Sequence, residues 1–542
     1  MLDKLRTAMS RAGTGASVPS PQPTGTALVP VVRAGDRPSE SMGYLQRSND
    51  GHRPPIVCAP YLRTSDADIR SAWGPVAAHA RTLRQNSGFL SYGVEISAAL
   101  TVGGDGLIPN IVPDHERLGW SADYAEAWAN ELEARFAEWS NDANACDARG
   151  ALKFGALQSA ALRGWFDTGD ILGALQYRET SGTWWRTSID VLDPVRLWTP
   201  PISVTGRVLV RDGIEFTDGG RPVAYHIRPH APNGKTVRLL RTGRSGRRIV
   251  HHGFDPEAGA IRGISPLGAA VQAILQSQNV FDAGVLTAHI AAMLIGIVTS
   301  DLPTDAVVRA LGGDGGGSDP LGQMMAHRGA WHAALKEANA HLTLGHGAKI
   351  AHLSTGEKFD LFAGKTGFDQ YETLLKLGLA EAARAMGLAP ELLTGDKSDA
   401  SYSSVRVALA EVDTIIKRRR AVLVEPFCEF ALAAVAEELI DRGVLAFPVR
   451  GYASPLEAFR AKRGLALRVD WRGPPMPSAD ELKSVKAAIE RVRFGLSSIG
   501  EEVAKSGGDI TATIKQRKAD QDALASAGLE LPWPSQTKGA TK

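Results

Sequence analysis

Cysteine is scarce in this sequence of 542 residues: Cys58, Cys146 and Cys428 stand far apart and form no CxxC pair. That argues against a disulfide framework or a cysteine-built zinc site and suits a reducing compartment. An excess of one charge is also missing. The formal net charge is +2, far from the basic balance of a protein whose main work is gripping nucleic-acid phosphates. This excludes tight wrapping of DNA but not its passage. Long hydrophobic runs are absent too. The best membrane candidate, "GVLTAHIAAMLIGIVTS" at 284–300, is shorter than the ~20 residues a span needs. His289 inside it is costly to place in lipid, so a packed helix and no membrane contact are expected. Residues 1–51 lack an apolar h-region, and no signal peptide is expected there.

Complete catalytic and ligand motifs are missing as well. Gly364, Lys365 and Thr366 supply the end of a phosphate loop, but Phe359 stands where the leading glycine belongs. Its bulk blocks the close backbone approach that such a loop needs, so "AGKT" reads as a loop before a helix. "GGDGLIP" (103–109) places Pro109 where a dinucleotide fingerprint needs its third glycine, and reads as a turn. His327, His332, His341, His346 and His352 cluster without i,i+4 spacing and without a nearby cysteine. A solvated or interface role is expected for them, not metal binding. No G-x-S-x-G elbow occurs, and Asp190 and Asp193 read as loop and strand-end caps. We expect no enzyme activity, no cofactor and no metal.

What is present is an ordinary globular composition, 44% hydrophobic and 22% charged, enough for several substructures. Residues 1–60, rich in Ser, Pro and Gly, read as a flexible N-terminal arm. Residues 120–139 have helical spacing with Ser121 as N-cap. The runs 170–178, 206–216 and 221–229 alternate apolar and polar residues, with "TDGG" (217–220) as a turn, and predict antiparallel β structure. Ser265-Pro266 opens a helix over 262–294. A glycine-rich loop (311–320) and a mixed helix-and-strand section follow. A second helix covers 368–387 and breaks at Ala389-Pro390, before the polar loop "LLTGDKSDASYSS" (392–404).

A long helix over 404–441 carries one apolar stripe and should kink at Pro426. Capping boxes at Ser478/Glu481 and Ser498/Glu501 start two helices of a small C-terminal bundle. Gly495 stops the first of them, and the last helix ends near Gly528. Basic runs occur at 241–248 and 417–420. Their usual meaning is a solvated face, and their functional one is contact with phosphates or an acidic partner.

The order of these parts resembles the portal proteins of tailed bacteriophages, in particular the lambda-like portal family. "RGISPL" (Arg262–Leu267), Met386–Gly395, Ser401-Tyr402-Ser403 before the basic-rich helix, and the closing stretch from Phe494 to Asp520 carry the resemblance, which covers roughly 75–530. It implies an α+β portal fold. Residues 61–261 would be a wing of helices plus antiparallel β structure, 262–297 stem helix 1, 298–360 a mixed α/β clip, and 361–388 stem helix 2. Residues 389–403 would be a tunnel loop, 404–477 wing with the long kinked helix, 478–527 a helical crown, and 528–542 a tail.

The resemblance also implies a ring of about twelve copies at one capsid vertex, found in the virion and assembled in the bacterial host cytoplasm. Such a ring seats the terminase large subunit, which would supply the ATP hydrolysis. It contacts major capsid and scaffold proteins, passes double-stranded DNA non-specifically, and later carries head-tail connector or neck proteins. Asp396, Lys397, Ser398, Asp399, Ser401, Tyr402 and Ser403 would line the channel as a near-neutral, hydroxyl-rich loop. Lys417, Arg418, Arg419 and Arg420 would contact DNA or a neighbouring subunit. The alternatives are another phage capsid or scaffold protein, and an NTPase using Gly364-Lys365-Thr366.

Overall fold

The computed structural model describes residues 63–293 and 367–529, less 180–181, 201–208, 218, 230–234, 244–245, 397, 399–400, 450, 478–479 and 509. The arm, the clip, Gly364-Lys365-Thr366 and the five clustered histidines lie outside the described residues.

Two helices open the fold. Thr64 caps α1 (Ser65–Asn86) and Ser87 caps α2 (Gly88–Thr101), each hydroxyl accepting from an amide of the first turn. "GGDGLIP" is a turn, with Gly103 and Gly106 at positive φ, and it leads into strand β1 (Ile108–Ile111). Ser121 caps α3 (Ala122–Asn141), as its position predicts. The apolar spacing of α3 buries Trp128, Leu132, Phe136 and Trp139, and Trp139 donates its indole N–H to the Thr187 carbonyl at 2.8 Å. Full burial of each such side chain contributes on the order of 2 kcal/mol. Helix α4 (Phe154–Thr168) adds Phe154, which stacks on Phe427 6.0 Å away. Cys146 is buried, which pushes its thiol up to about 12.

The β region follows as β2 (Asp170–Tyr177), β3 (Thr187–Leu192), β4 (Leu209–Arg211), β5 (Ile214–Phe216), β6 (Pro222–Ile227), β7 (Val237–Leu240) and β8 (Val250–Phe254). They form an antiparallel sheet β3-β2-β8 and a second antiparallel sheet β4-β5-β6-β7. The expected single run 206–216 is a hairpin instead. Asp212 (φ 48°) and Gly213 (φ 78°) reverse the chain, and two positive φ values in succession are what a tight Asp-Gly hairpin turn requires. "TDGG" is the next turn, with the Gly220 amide donating to the Thr217 carbonyl. Asp193 caps a 3₁₀ turn after β3.

Asp170, at the start of β2, is wholly buried. It accepts from Arg262 Nε at 2.8 Å and from the Gly263 amide at 2.8 Å, and His252 Nε2 lies 3.2 Å away. The Arg262 guanidinium also lies over the Trp73 ring at 3.7 Å, and Ser265 Oγ donates to the Phe166 carbonyl at 2.5 Å. "RGISPL" is therefore the strip that ties the sheet to the helices. Burial works to raise the Asp170 pKa, but Arg262 and then His252 and the Gly263 amide reverse this, so it stays below its ordinary value.

Ser265 caps the 3₁₀ turn Pro266–Ala269, which runs into α7, counted after the one-turn helices α5 (Ala143–Cys146) and α6 (His115–Leu118). Helix α7 (Val271–Met293) lies against α8 (Gly367–Ala385). A Cβ at Gly378 of α8 would fall 1.8 Å from Ser277 Oγ of α7, so only glycine admits this approach. After α9 (Pro390–Thr394) comes the long helix, in two parts: α10 (Tyr402–Arg419) and α11 (Glu425–Asp441). Between them Arg420–Val424 forms a π turn. The irregularity expected at Pro426 thus lies just upstream, as this π turn. Pro426 has no N–H for the carbonyl four residues back, and the π turn absorbs the lost register. Helix α12 (Pro455–Ala466) and strand β9 (Val469–Arg472) return the chain to β1, which pairs antiparallel with β9.

The last helices are α13 (Glu481–Arg493), α14 (Ile499–Lys505) and α15 (Ile510–Ser526). The first expected capping box needs correction: Asp480, not Ser478, caps α13, accepting from the Lys483 amide. A carboxylate next to the first turn also meets the positive end of the helix dipole. The second box forms as read, with Ser498 and Glu501 bonding each other's amides. Helices α13 and α14 bury no residue, so they do not build a core of their own. Among the described residues no helix is long and apolar enough to cross a membrane.

Replacing Asp170 by Asn leaves the buried Arg262 without its counter-charge. We expect a loss of roughly 3–5 kcal/mol in unfolding free energy, read by denaturant titration near neutral pH. The depressed native pKa also sets a sign. The stabilisation from Asp170 is present above the unfolded carboxylate pKa of about 4 and fades as pH falls through the lower native value.

Candidate functional site

The polar loop between α9 and α10 is built from two helix ends. Gly395 closes α9 in the left-handed region at φ 72°, its amide donating to the Glu391 carbonyl. Ser401 opens α10, its Oγ accepting from the Ser404 amide at 3.2 Å and lying 3.0 Å from Ser403 Oγ. Between these caps Asp396 accepts from both the hydroxyl and the amide of Ser398, at 2.7 and 3.0 Å. Those two bonds, with Lys376 3.8 Å away on α8, hold the Asp396 carboxyl below its ordinary value. The structure thus gathers Asp396, Ser398, Ser401 and Ser403 into one exposed stretch. Tyr402 begins the helix, and Lys397 and Asp399 lie outside the described residues. Among the described residues, Asp396 bonds Ser398, and Ser401 bonds Ser403 and Ser404.

The base of the loop is fixed to the core. Gly93 of α2 leaves room for Met386 and Leu393, and a Cβ there would fall 2.6 Å from Met386 Cε and 2.8 Å from Leu393 Cδ1. An exposed loop therefore hangs from a rigid seat.

The basic run 417–420 divides. Lys417 pairs with Asp413 at 2.6 Å on its own helix, and Arg418 makes two bonds to Asp255, at 2.9 and 2.7 Å. Both are exposed. Arg419 is buried, donates to the Met386 carbonyl at 2.9 Å, and lies near the Trp165 and Phe166 rings. Burial lowers its pKa to about 10, so it remains charged at neutral pH. Arg420 donates to the Leu100, Thr101 and Pro474 carbonyls, each at 2.7 Å. Leu100 and Thr101 end α2, and Met386 directly follows α8. These arginines supply donors to helix-end carbonyls that have no partner within the helix. Sequence reasoning missed this role, because nothing local marks which helix end an arginine will meet.

Among the described residues no group of His, Cys, Asp and Glu could hold a metal ion. A model of the family described as "Phage portal protein, lambda family" matches residues 58–420. Portal protein B of Escherichia phage lambda is 24% identical over 463 residues, covering 84% of this chain and 85% of its own. The portal protein of Escherichia phage N15 is 24% identical over 487 residues, covering 87% and 88%. Among solved structures, the neck of an empty GTA particle matches 80% of this chain and 95% of its own, at 16% identity and a TM-score of 0.38. With the family model spanning well over half of the sequence, and two phage portal proteins aligning along most of it, this chain belongs to the lambda family of phage portal proteins.

Proposed function

We propose that copies of this chain form the ring at the unique capsid vertex, through which the genome enters and leaves the virion. The observation that carries this reading is the family match over 58–420, a span that includes α7, α8, the polar loop and α10. The family is one of structural proteins, and in this reading ATP hydrolysis belongs to a docked terminase. Neck, capsid and scaffold proteins are the other proposed partners. Phe281 and Val285 on α7, and Leu374 and Leu377 on α8, leave apolar surface outward, with Leu377 63% exposed. A neighbouring copy would cover such a face. The loop 389–403 would face the channel. Its self-bonded hydroxyls and near-neutral charge suit a duplex that must slide, since every phosphate contact adds affinity. Lys417 and Arg418 would supply the outward charges for DNA or a neighbouring subunit.

Three outcomes follow. Purified protein should form closed rings of about twelve copies, seen by negative-stain imaging and native mass measurement. Only monomers at high concentration, or an extended shell lattice, would count against the reading. Replacing 396–400 with a glycine-serine stretch of equal length keeps the Gly395 and Ser401 caps. It should leave rings intact but impair DNA packaging or retention, and unimpaired packaging would remove the channel role. Finally, Arg420→Ala should destabilise the chain by about 1–3 kcal/mol through three orphaned carbonyls. Lys417→Ala and Arg418→Ala, measured in the same unfolding assay, should each change stability by less than about 1 kcal/mol.

A further inference from the structure

A second arginine cluster lies on a part of the fold that the proposed channel does not use. The connection from β7 to β8 folds back on itself: the Gly243 amide donates to the Arg247 carbonyl at 2.7 Å, and the Ile249 amide to the Arg241 carbonyl at 2.9 Å. This turn sets Arg247 and Arg248 against α11. With Glu429, Phe430 and Glu437 of α11 and Arg463 of α12 they wall an open pocket of about 410 Å³.

The charges in this pocket do not balance. Glu437 is already shared, its Oε2 accepting from Arg247 at 3.1 Å and from Arg460 at 2.7 Å. Arg248 has no carboxylate. Its Nη2 donates to His251 Nδ1 at 3.2 Å, and its guanidinium lies 5.7 Å from the Phe430 ring centre. Its Nε is buried without an acceptor. Burial lowers the Arg248 pKa, and Arg241 and Arg463 lower it further, with Glu429 and Tyr225 acting the other way. His251 adds no charge of either sign, since burial drives its pKa well down and keeps it neutral. Of the three arginines that line the pocket, Arg247 is paired with Glu437, while Arg248 and Arg463 share the wall with Glu429 and make no ion pair with it.

A concave site lined by two guanidinium groups without an ion-pair partner among the described residues is complementary to an oxyanion. The planar arginine fork fits the oxygens of a phosphate group, and burial strengthens each charged hydrogen bond. We propose that this pocket binds a small phosphate-class anion, held by Arg248 and Arg463. The anion would accept from the guanidinium groups of Arg248 and Arg463 where they line the pocket, and offset the repulsion between them. The site is separate from the loop and from the exposed α7 and α8 surface, so it stands or falls independently of the channel reading.

The test uses the full-length protein, with inorganic phosphate titrated at constant ionic strength against chloride. Phosphate should raise the melting temperature of the wild-type protein and give a saturable calorimetric isotherm. Arg248→Gln and Arg463→Gln should each weaken that binding roughly tenfold or more. Arg117→Gln, at an exposed arginine on another helix, should leave it unchanged. Arg463 is half-buried at the pocket wall, so its variant keeps the test decisive if Arg248→Gln fails to fold. Equal phosphate affinity in the wild type and the folded pocket variants would overturn the proposal, as would no effect beyond chloride. Duplex DNA bound through the same two arginines, with no binding of inorganic phosphate, would overturn it as well.

Discussion

The arrangement of this protein depends on two arginine side chains reaching helix-end carbonyls. Helix ends leave carbonyls without intrahelical partners, and burying them unmet is costly. Arg420 meets those of Leu100 and Thr101 at the end of α2, and Arg419 meets that of Met386 just after α8. Both arginines sit at the junction of α10 with the π turn. The helix that leaves the polar loop is thereby locked to the two elements that seat the loop. The irregular turn belongs to the same device: it resets the helical register at Pro426, and α11 continues into the core with Phe427 against Phe154.

Asp170 does for the sheet what those arginines do for the helices. One buried carboxylate collects Arg262, His252 and the Gly263 amide, so β2, β8 and the entry to α7 share a single charged node. Such a node contributes little net stability relative to a well-packed apolar equivalent, but removing one member is costly. The "RGISPL" strip therefore acts as an alignment device between the β region and the helix pair α7 and α8.

Much of this was legible in the sequence wherever the signal was local. Ser121, Ser265 and Ser498 cap the helices that their spacing announces, because a cap needs only its own first turn. Alternation found β2, β4, β5 and β6 but did not mark β3, β7 or β8, nor the reversal at Asp212-Gly213, although that dipeptide is itself a hairpin signal. Asp480 caps the helix in place of Ser478 because two residues only two positions apart could each serve, and the choice turns on where the chain enters the helix. The basic run 417–420 was the least legible. Its sequence reads as surface charge, yet half of it is spent on carbonyls more than thirty or three hundred residues away in the chain. The resemblance supplied the family, and composition could have supplied only a globular mixture of helix and sheet.

At Gly378 the bare backbone of α8 meets the Ser277 side chain of α7, with no side chain of its own between them. Two helices in that degree of contact have no compressible layer between them, because a protein interior yields little once atoms touch. A push along one must be felt by the other almost undiminished. The pair behaves mechanically as a single stiff strut, so a load applied at one end would arrive at the other as displacement and not be lost as local deformation.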